Sequence, residues 1–229
     1  MLIKGLEKQT VLDYPEKLAC IIFVFGCNFR CSYCHNPELV EDDGRPAIAE
    51  NVILDFLKER RDFLDGVVIT GGEPTLNKEL PTFIKKIKDL GYSVKLDTNG
   101  SNPEMLKELI DKKLVDYIAM DIKAPIDYYE SVTKVQFDMK KIKQSVDIIR
   151  KFGNYEFRTT IVPGLFSEEH ARSIGEWLKG SKRMFLQQFK GIKTLDNSFV
   201  GKKPFSKEEM KGFCKIMEPY FEKCELRGV

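Results

Sequence analysis

Apolar residues recur along this chain in two alternating rhythms. Short runs at 18–25, 66–70, 93–97, 116–122, 155–162 and 183–189 read as strands, the first of them apolar throughout. Between them the spacing changes to that of helices with one buried stripe. Val52, Ile53, Phe56 and Leu57 mark the first stripe, and Leu80, Phe83, Ile84, Ile87 and Leu90 the second. Leu106, Leu109 and Ile110, then Met139, Ile142, Val146 and Ile149, then Ala171, Ile174 and Leu178 continue the series. End signals agree with these assignments. Gly91 stops one helix, Pro103 opens another at a favoured early position, and Ser167 can cap a third. Ser206-Lys207-Glu208-Glu209 reads as a capping box that opens the last helix.

Six strand–helix units in alternation imply an α/β fold around a parallel sheet. The pattern leaves open whether that sheet is doubly wound or part of a barrel. Residues 1–17 end in the turn signal Asp13-Tyr14-Pro15-Glu16 and are expected to form a short hairpin extension. Residues 123–137 and 191–204 show no period. With no linker and no shift in composition, the expectation is a single domain over 1–229. Its parts are the extension 1–17, six β/α units over 18–190, and a C-terminal loop and helix over 191–229.

Composition narrows the class. Apolar residues make up 42% of the 229 residues, ordinary for a chain that folds around a core. Lys plus Arg number 37 against 35 Asp plus Glu, a formal charge of +2. That balance gives no reason to expect nucleic acid or a membrane surface as partner. No apolar run is long enough to cross a bilayer, and the N-terminus lacks the apolar stretch of a secretory signal. The expected location is cytoplasmic, where thiols stay reduced.

Three of the six cysteines, Cys27, Cys31 and Cys34, fall in one short loop just after the first strand. Thiolates so spaced can converge on one soft metal centre. A closed zinc site needs four ligands, and the only nearby fourth, His35, adjoins Cys34. A disulfide framework lacks both an export signal and paired cysteines. An iron–sulfur cube with three protein ligands and one open iron satisfies the spacing, with zinc as the other reading. Cys20 and Cys214 read as small buried apolar groups, and Cys224 has no assigned role.

The CxxxCxxC spacing, with aromatic Tyr33 before the last cysteine, resembles the radical S-adenosylmethionine (SAM) superfamily. Asp13-Tyr14-Pro15, Gly26 to Cys31, and Cys34-His35-Asn36-Pro37 resemble the short activating proteins of anaerobic ribonucleoside-triphosphate reductases. Those are related to pyruvate formate-lyase activating enzymes. The resemblance implies a partial (β/α)6 barrel. It also implies a [4Fe-4S] cluster on Cys27, Cys31 and Cys34, with SAM on the open iron. Tyr33 would lie against the cluster, and Asn36 would stand among the surrounding hydrogen-bond donors, as would His35. Gly71-Gly72-Glu73-Pro74 matches the family's GGEP element, whose glycines bring backbone near a ligand and whose carboxylate meets the SAM ammonium. Asp97-Thr98-Asn99 and Asp121-Ile122-Lys123 match segments in which two aspartates and the threonine help hold a monovalent cation beside SAM. Arg158 would reach SAM, with an ion pair to Asp121 or Glu73 as the alternative. The backbone at Val162 would border the adenine.

The implied reaction is reductive cleavage of SAM to a 5′-deoxyadenosyl radical, which takes hydrogen from a glycine of a partner. The implied partner is an anaerobic ribonucleotide reductase, with flavodoxin or ferredoxin as reductant. Lys190 stands where formate-lyase activases carry a histidine, which argues against a formate-lyase partner. The rival readings are a small radical SAM enzyme acting on a small molecule or peptide, such as a 7-carboxy-7-deazaguanine synthase, and a non-catalytic metal-binding module.

Overall fold

A computed structural model of the chain describes residues 1–229. Its strands are β1 (Ile3–Thr10), β2 (Ala19–Val24), β3 (Gly66–Gly71), β4 (Ser93–Thr98), β5 (Tyr117–Asp121), β6 (Tyr155–Ile161), β7 (Ser181–Gln188) and β8 (Phe221–Arg227). Its helices are α1 (Glu50–Glu59), α2 (Leu80–Asp89), α3 (Pro103–Asp111), α4 (Tyr129–Thr133), α5 (Met139–Phe152), α6 (Glu168–Trp177) and α7 (Lys207–Met217). The strands follow one another through the sheet in chain order. β1 runs antiparallel to β2, while the β2–β3, β3–β4, β6–β7 and β7–β8 pairs are parallel. A doubly wound sheet reverses its order at a switch point. This order never reverses, so the choice left open by the sequence pattern goes to the sequential winding of β/α barrels.

The chain forms two compact units. The first comprises Met1–Asn28, Glu38–Ala119 and Lys140–Asn154. Strands β2 and β3 are buried along nearly their whole length, as parallel strands covered on both faces must be. Ile53 and Leu57 of α1 and Phe83, Ile84 and Ile87 of α2 are fully buried. Val52, expected inward, is 53% exposed; α1 is anchored by the narrower pair Ile53 and Leu57. Residues 1–17 make no separate hairpin. β1 pairs with β2, and Tyr14 of the turn is buried with Ala19, Ile21, Val68 and Tyr117. Cys20 is fully buried in β2, in keeping with a packing role.

The second unit comprises Phe29–Pro37, Met120–Met139 and Tyr155–Val229. Phe157, Met184 and Leu186 of its strands are fully buried, as are Ile174 of α6 and Met210 and Met217 of α7. The aperiodic stretch after β5 contains α4, whose five residues are too few to display a period; Lys134 ends it at φ 58°. The C-terminal region holds more than the expected loop and helix. β8 pairs parallel with β7, and its sequence FEKCELR is charged enough to hide a strand. Edge strands are commonly charged because their open side must not recruit other chains. Cys214 is buried on α7, and its Sγ lies 3.2 Å from Sγ of Cys224 on β8.

Candidate cofactor site

In the first unit, the segment that leads into Cys27 is pinned by the turn after β3. Gly72 N–H donates to Val24 O at 2.9 Å, and Glu73 N–H donates to Gly26 O at 2.7 Å. A Cβ on Gly72 would sit 2.1 Å from Gly26 O, and Gly71, at φ +129°, has Val24 O at 2.3 Å from its own hypothetical Cβ. Both glycines are therefore required by a backbone-to-backbone contact. That contact sets where Cys27 begins.

Glu73 is fully buried. Its Oε1 accepts from Thr75 N (3.1 Å), Thr75 Oγ1 (2.5 Å) and Thr98 Oγ1 (2.7 Å), and its Oε2 accepts from Asn99 N (2.6 Å). Burial pushes its carboxyl above the usual range, and the four donors only partly offset this. The carboxylate thus ties the Pro74–Leu76 turn to the end of β4. Three donors meet Oε1 and one meets Oε2, all inside the unit.

Asn99, held through that contact, donates from Nδ2 to Asn28 Oδ1 at 3.0 Å and faces Cys27 Sγ at 4.0 Å. Thr98 Oγ1 also accepts from Gly100 N at 3.0 Å. Asp97 Oδ1 lies 2.5 Å from Nζ of Lys95, a lysine with no exposed surface. The two share a face of β4 because side chains alternate along a strand.

The second unit carries the other expected residues. Asp121, at the end of β5, accepts from Arg158 Nε at 2.8 Å on Oδ1 and from Lys123 Nζ at 3.0 Å on Oδ2. Burial pushes the Asp121 carboxyl up, but Arg158 and Lys123 outweigh it and hold it well below the usual carboxylate range. Burial opposes the charge of Lys123 too; Asp121, then the Tyr33 and Cys31 side chains, raise its pKa well above that of an ordinary lysine. Arg158 thus pairs with Asp121 through Nε. Tyr33 is buried, and burial followed by the Cys31 charge raises its phenol.

The cysteine loop is itself held in place. Phe29 packs edge-on against Tyr129 and Phe137, and Arg30 N–H donates to Thr133 O. Leu195 N–H and Asp196 N–H donate to Cys34 O and Ser32 O, so the 191–204 segment folds back onto the loop. His35 Nε2 accepts from Lys190 N–H at 3.2 Å. That nitrogen is thereby occupied. Asn36 is half-buried at the end of the loop, and Val162 is buried with its carbonyl accepting from Leu165 and Phe166.

None of the three motif cysteines is in a disulfide. Thiolate is the donor iron–sulfur clusters take. An amide N–H facing Cys27 Sγ and a lysine whose charge is felt at Cys31 are the surroundings that stabilise thiolates. The thiol chemistry of the loop suits such a cluster. Residues 21–178 match the family model described as "Radical SAM superfamily".

The chain belongs to the radical SAM superfamily.

Within it, the chain groups with the glycyl-radical enzyme activating enzymes. It is 36% identical, over all of its own length and 96% of the relative's, to a Methanocaldococcus jannaschii protein provisionally named a glycyl-radical enzyme activating enzyme. It is 28% identical to the pyruvate formate-lyase-activating enzyme of Clostridium pasteurianum, over 80% of this chain and 78% of that one. Among solved structures, Streptococcus suis SuiB bound to S-adenosylmethionine superposes with a TM-score of 0.68 at 14% identity, over 91% of this chain and 50% of SuiB. A domain of the pyruvate-formate lyase-activating enzyme from Bacteroides vulgatus gives 0.54 at 19% identity, over 71% of this chain and 99% of that one. These likenesses bear on the fold, and the chain spans about half of SuiB.

Sequence reasoning missed Lys95, Thr75, Asn28, Tyr129 and the 194–196 backbone contacts. Only Lys95 had a usable signal: it stands two residues before Asp97, and so on the same face of β4.

Proposed function

We propose that this radical SAM enzyme generates a glycyl radical on a partner enzyme, an anaerobic ribonucleoside-triphosphate reductase. Cys27, Cys31 and Cys34 would hold a [4Fe-4S] cluster. When bound, cluster and SAM supply one-electron cleavage of the sulfonium S–C5′ bond, with the electron drawn from a flavodoxin or ferredoxin. The observation that carries the reading is the docking of the Gly71–Glu73 turn on the strand end that precedes Cys27.

The chain's own contribution is positioning. Glu73 braces the turn, leaving its backbone to meet SAM beside Pro74, and Asn99 presents an N–H toward Cys27. In the second unit, Asp121, Lys123 and Arg158 form an ion-paired group of net positive charge near Tyr33 and Cys31. We assign Tyr33, Arg158 and the Val162 backbone to the adenosine part of SAM, and Asn36 to the surroundings of the cluster. Proton transfer by a side chain is not needed for the cleavage. A cytoplasmic location suits reduced thiols and a flavodoxin-type donor.

The test is anaerobic. The reconstituted chain, dithionite and SAM are assayed for 5′-deoxyadenosine, with and without the reductase, while a glycyl electron-spin signal is sought. Deoxyadenosine with a reductase-dependent glycyl signal is the expected outcome. Deoxyadenosine without that signal would move the assignment to a small molecule or peptide. Full activity in Cys31→Ala would overturn the cluster assignment.

A further inference from the structure

We infer that Lys95 is the built-in counter-cation of Asp97, a positioning residue that makes a bound monovalent cation at this carboxylate unnecessary. The inference rests on the SAM reading above and names how one of its carboxylates is neutralised.

A lysine with no exposed surface is costly. Taking an ammonium out of water is offset only by a close counter-charge with good geometry. Lys95 meets that condition with one contact, 2.5 Å to Asp97 Oδ1, while Asp97 itself keeps only 11% of its side-chain surface exposed. Leu or Met would fill the same volume without that cost. Lys95 and Asp97 lie two apart on β4, so the strand's alternation sends both to one face. A compact ammonium is a point charge with three donors. It is the nearest equivalent a side chain offers to a monovalent metal ion.

The resemblance assigns such an ion to Asp97, Thr98 and Asp121. Their donor oxygens do not fit one here. Thr98 Oγ1 already donates to Glu73 and accepts from Gly100 N–H. Asp121 has Arg158 on one oxygen and Lys123 on the other. Asp97 has Lys95. A hard cation binds through several free oxygen ligands, and in each unit a metal ion would first have to expel an ammonium or guanidinium already in contact.

The test uses the full chain, cluster-reconstituted, at one ionic strength in potassium, sodium or tetramethylammonium chloride. Two quantities are read: the thermal midpoint and 5′-deoxyadenosine formation. The wild type should change less than about twofold in rate across the three salts, with no salt-specific midpoint. Lys95→Met should lose about tenfold or more in tetramethylammonium and recover in potassium or methylammonium, with its midpoint newly dependent on potassium. A purely structural lysine would give no such rescue. A wild type that loses about tenfold on removal of potassium and sodium overturns the inference. So does a folded Lys95→Met that matches the wild type in every salt, or one inactive in every salt. Should Lys95→Met fail to fold, Lys95→Gln replaces it in the same comparison. If no deoxyadenosine forms in any salt, the SAM reading fails, while the potassium dependence of the midpoints still judges Lys95.

Discussion

Gly72→Ala isolates the contact that sets Cys27. A carbon sits comfortably about 3.3 Å from a carbonyl oxygen, yet a Cβ on Gly72 would lie 2.1 Å from Gly26 O and 2.5 Å from Gly26 C. The obstacle is backbone, which cannot rotate away as a side chain would. The two segments must part by on the order of 1 Å. That separation would stretch the Glu73 N–Gly26 O bond of 2.7 Å and the Gly72 N–Val24 O bond of 2.9 Å beyond useful geometry. Two lost hydrogen bonds at about 1 kcal/mol each, with overpacking of about 1–3 kcal/mol, give a loss of about 3–5 kcal/mol. This is a large part of the roughly 5–15 kcal/mol a domain has.

Urea unfolding of the cluster-free chain reads the stability, and iron content after anaerobic reconstitution reads the site. With a slope of about 2 kcal/mol per molar, the midpoint should fall by about 1.5–2.5 M, and iron retention should fall with it. Gly26→Ala is the control. Its φ is +97° but nothing lies within 4 Å of the added carbon. It should therefore cost only the strain of the left-handed region, about 1–2 kcal/mol. If Gly72→Ala proved no worse than Gly26→Ala on both readouts, the backbone contact would not be what fixes Cys27.

Asp121→Asn should cost roughly 1–3 kcal/mol at neutral pH, between an exposed and a buried pair, because Arg158 and Lys123 lose their shared anion. The Asp121 carboxyl is held low in the fold, so its contribution is present above the unfolded value of about 3.9 and is lost as pH falls toward the folded value. The gap between variant and wild-type urea midpoints should narrow below about pH 4, and a constant gap would refute the charge argument. Cys214 and Cys224 should close into a disulfide when the full chain meets a low-molecular-weight disulfide, with two small thiols released. Mass spectrometry would then join tryptic peptides 212–215 and 224–227; two thiols that both stay open to alkylation would refute the contact.

The strands and helices were legible because burial on a parallel sheet leaves long apolar runs and helical stripes, signals that need no tertiary knowledge. β8 was not, because FEKCELR carries its charges on an edge. α4 is shorter than one full period of evidence. The candidate site was legible as spacing and illegible as direction. Cys27, Gly72 and Glu73 can be found by counting, but whether Glu73 faces a ligand or its own threonines depends on where β4 lies beside β3. Lys95 went unread because the alternation of Val94, Lys95, Leu96 and Asp97 looks like a strand with one solvent-facing side. Its pairing with Asp97 shows only when the face they share is known to be buried.

The bracing role of Glu73 makes a prediction that separates stability from ligand binding. Four donors converge on its carboxylate, two of them backbone N–H groups that cannot turn away. In Glu73→Gln, an amide oxygen can replace one carboxylate oxygen, but the other position becomes an NH2 group. If Oε1 keeps its three donors, that NH2 meets Asn99 N–H head-on, donor against donor. A buried donor left without an acceptor costs about 1–3 kcal/mol, partly offset because the buried charge is gone. The displaced group is Asn99, whose side chain faces Cys27. The expected variant is therefore less stable to urea and poorer at retaining iron. The fraction that does hold a cluster should bind SAM within about threefold of the wild type, measured by equilibrium dialysis under anaerobic conditions. A loss of SAM affinity of about tenfold or more, with stability and iron content unchanged, would mean the carboxylate meets the SAM ammonium directly and that its four internal donors give way when SAM binds.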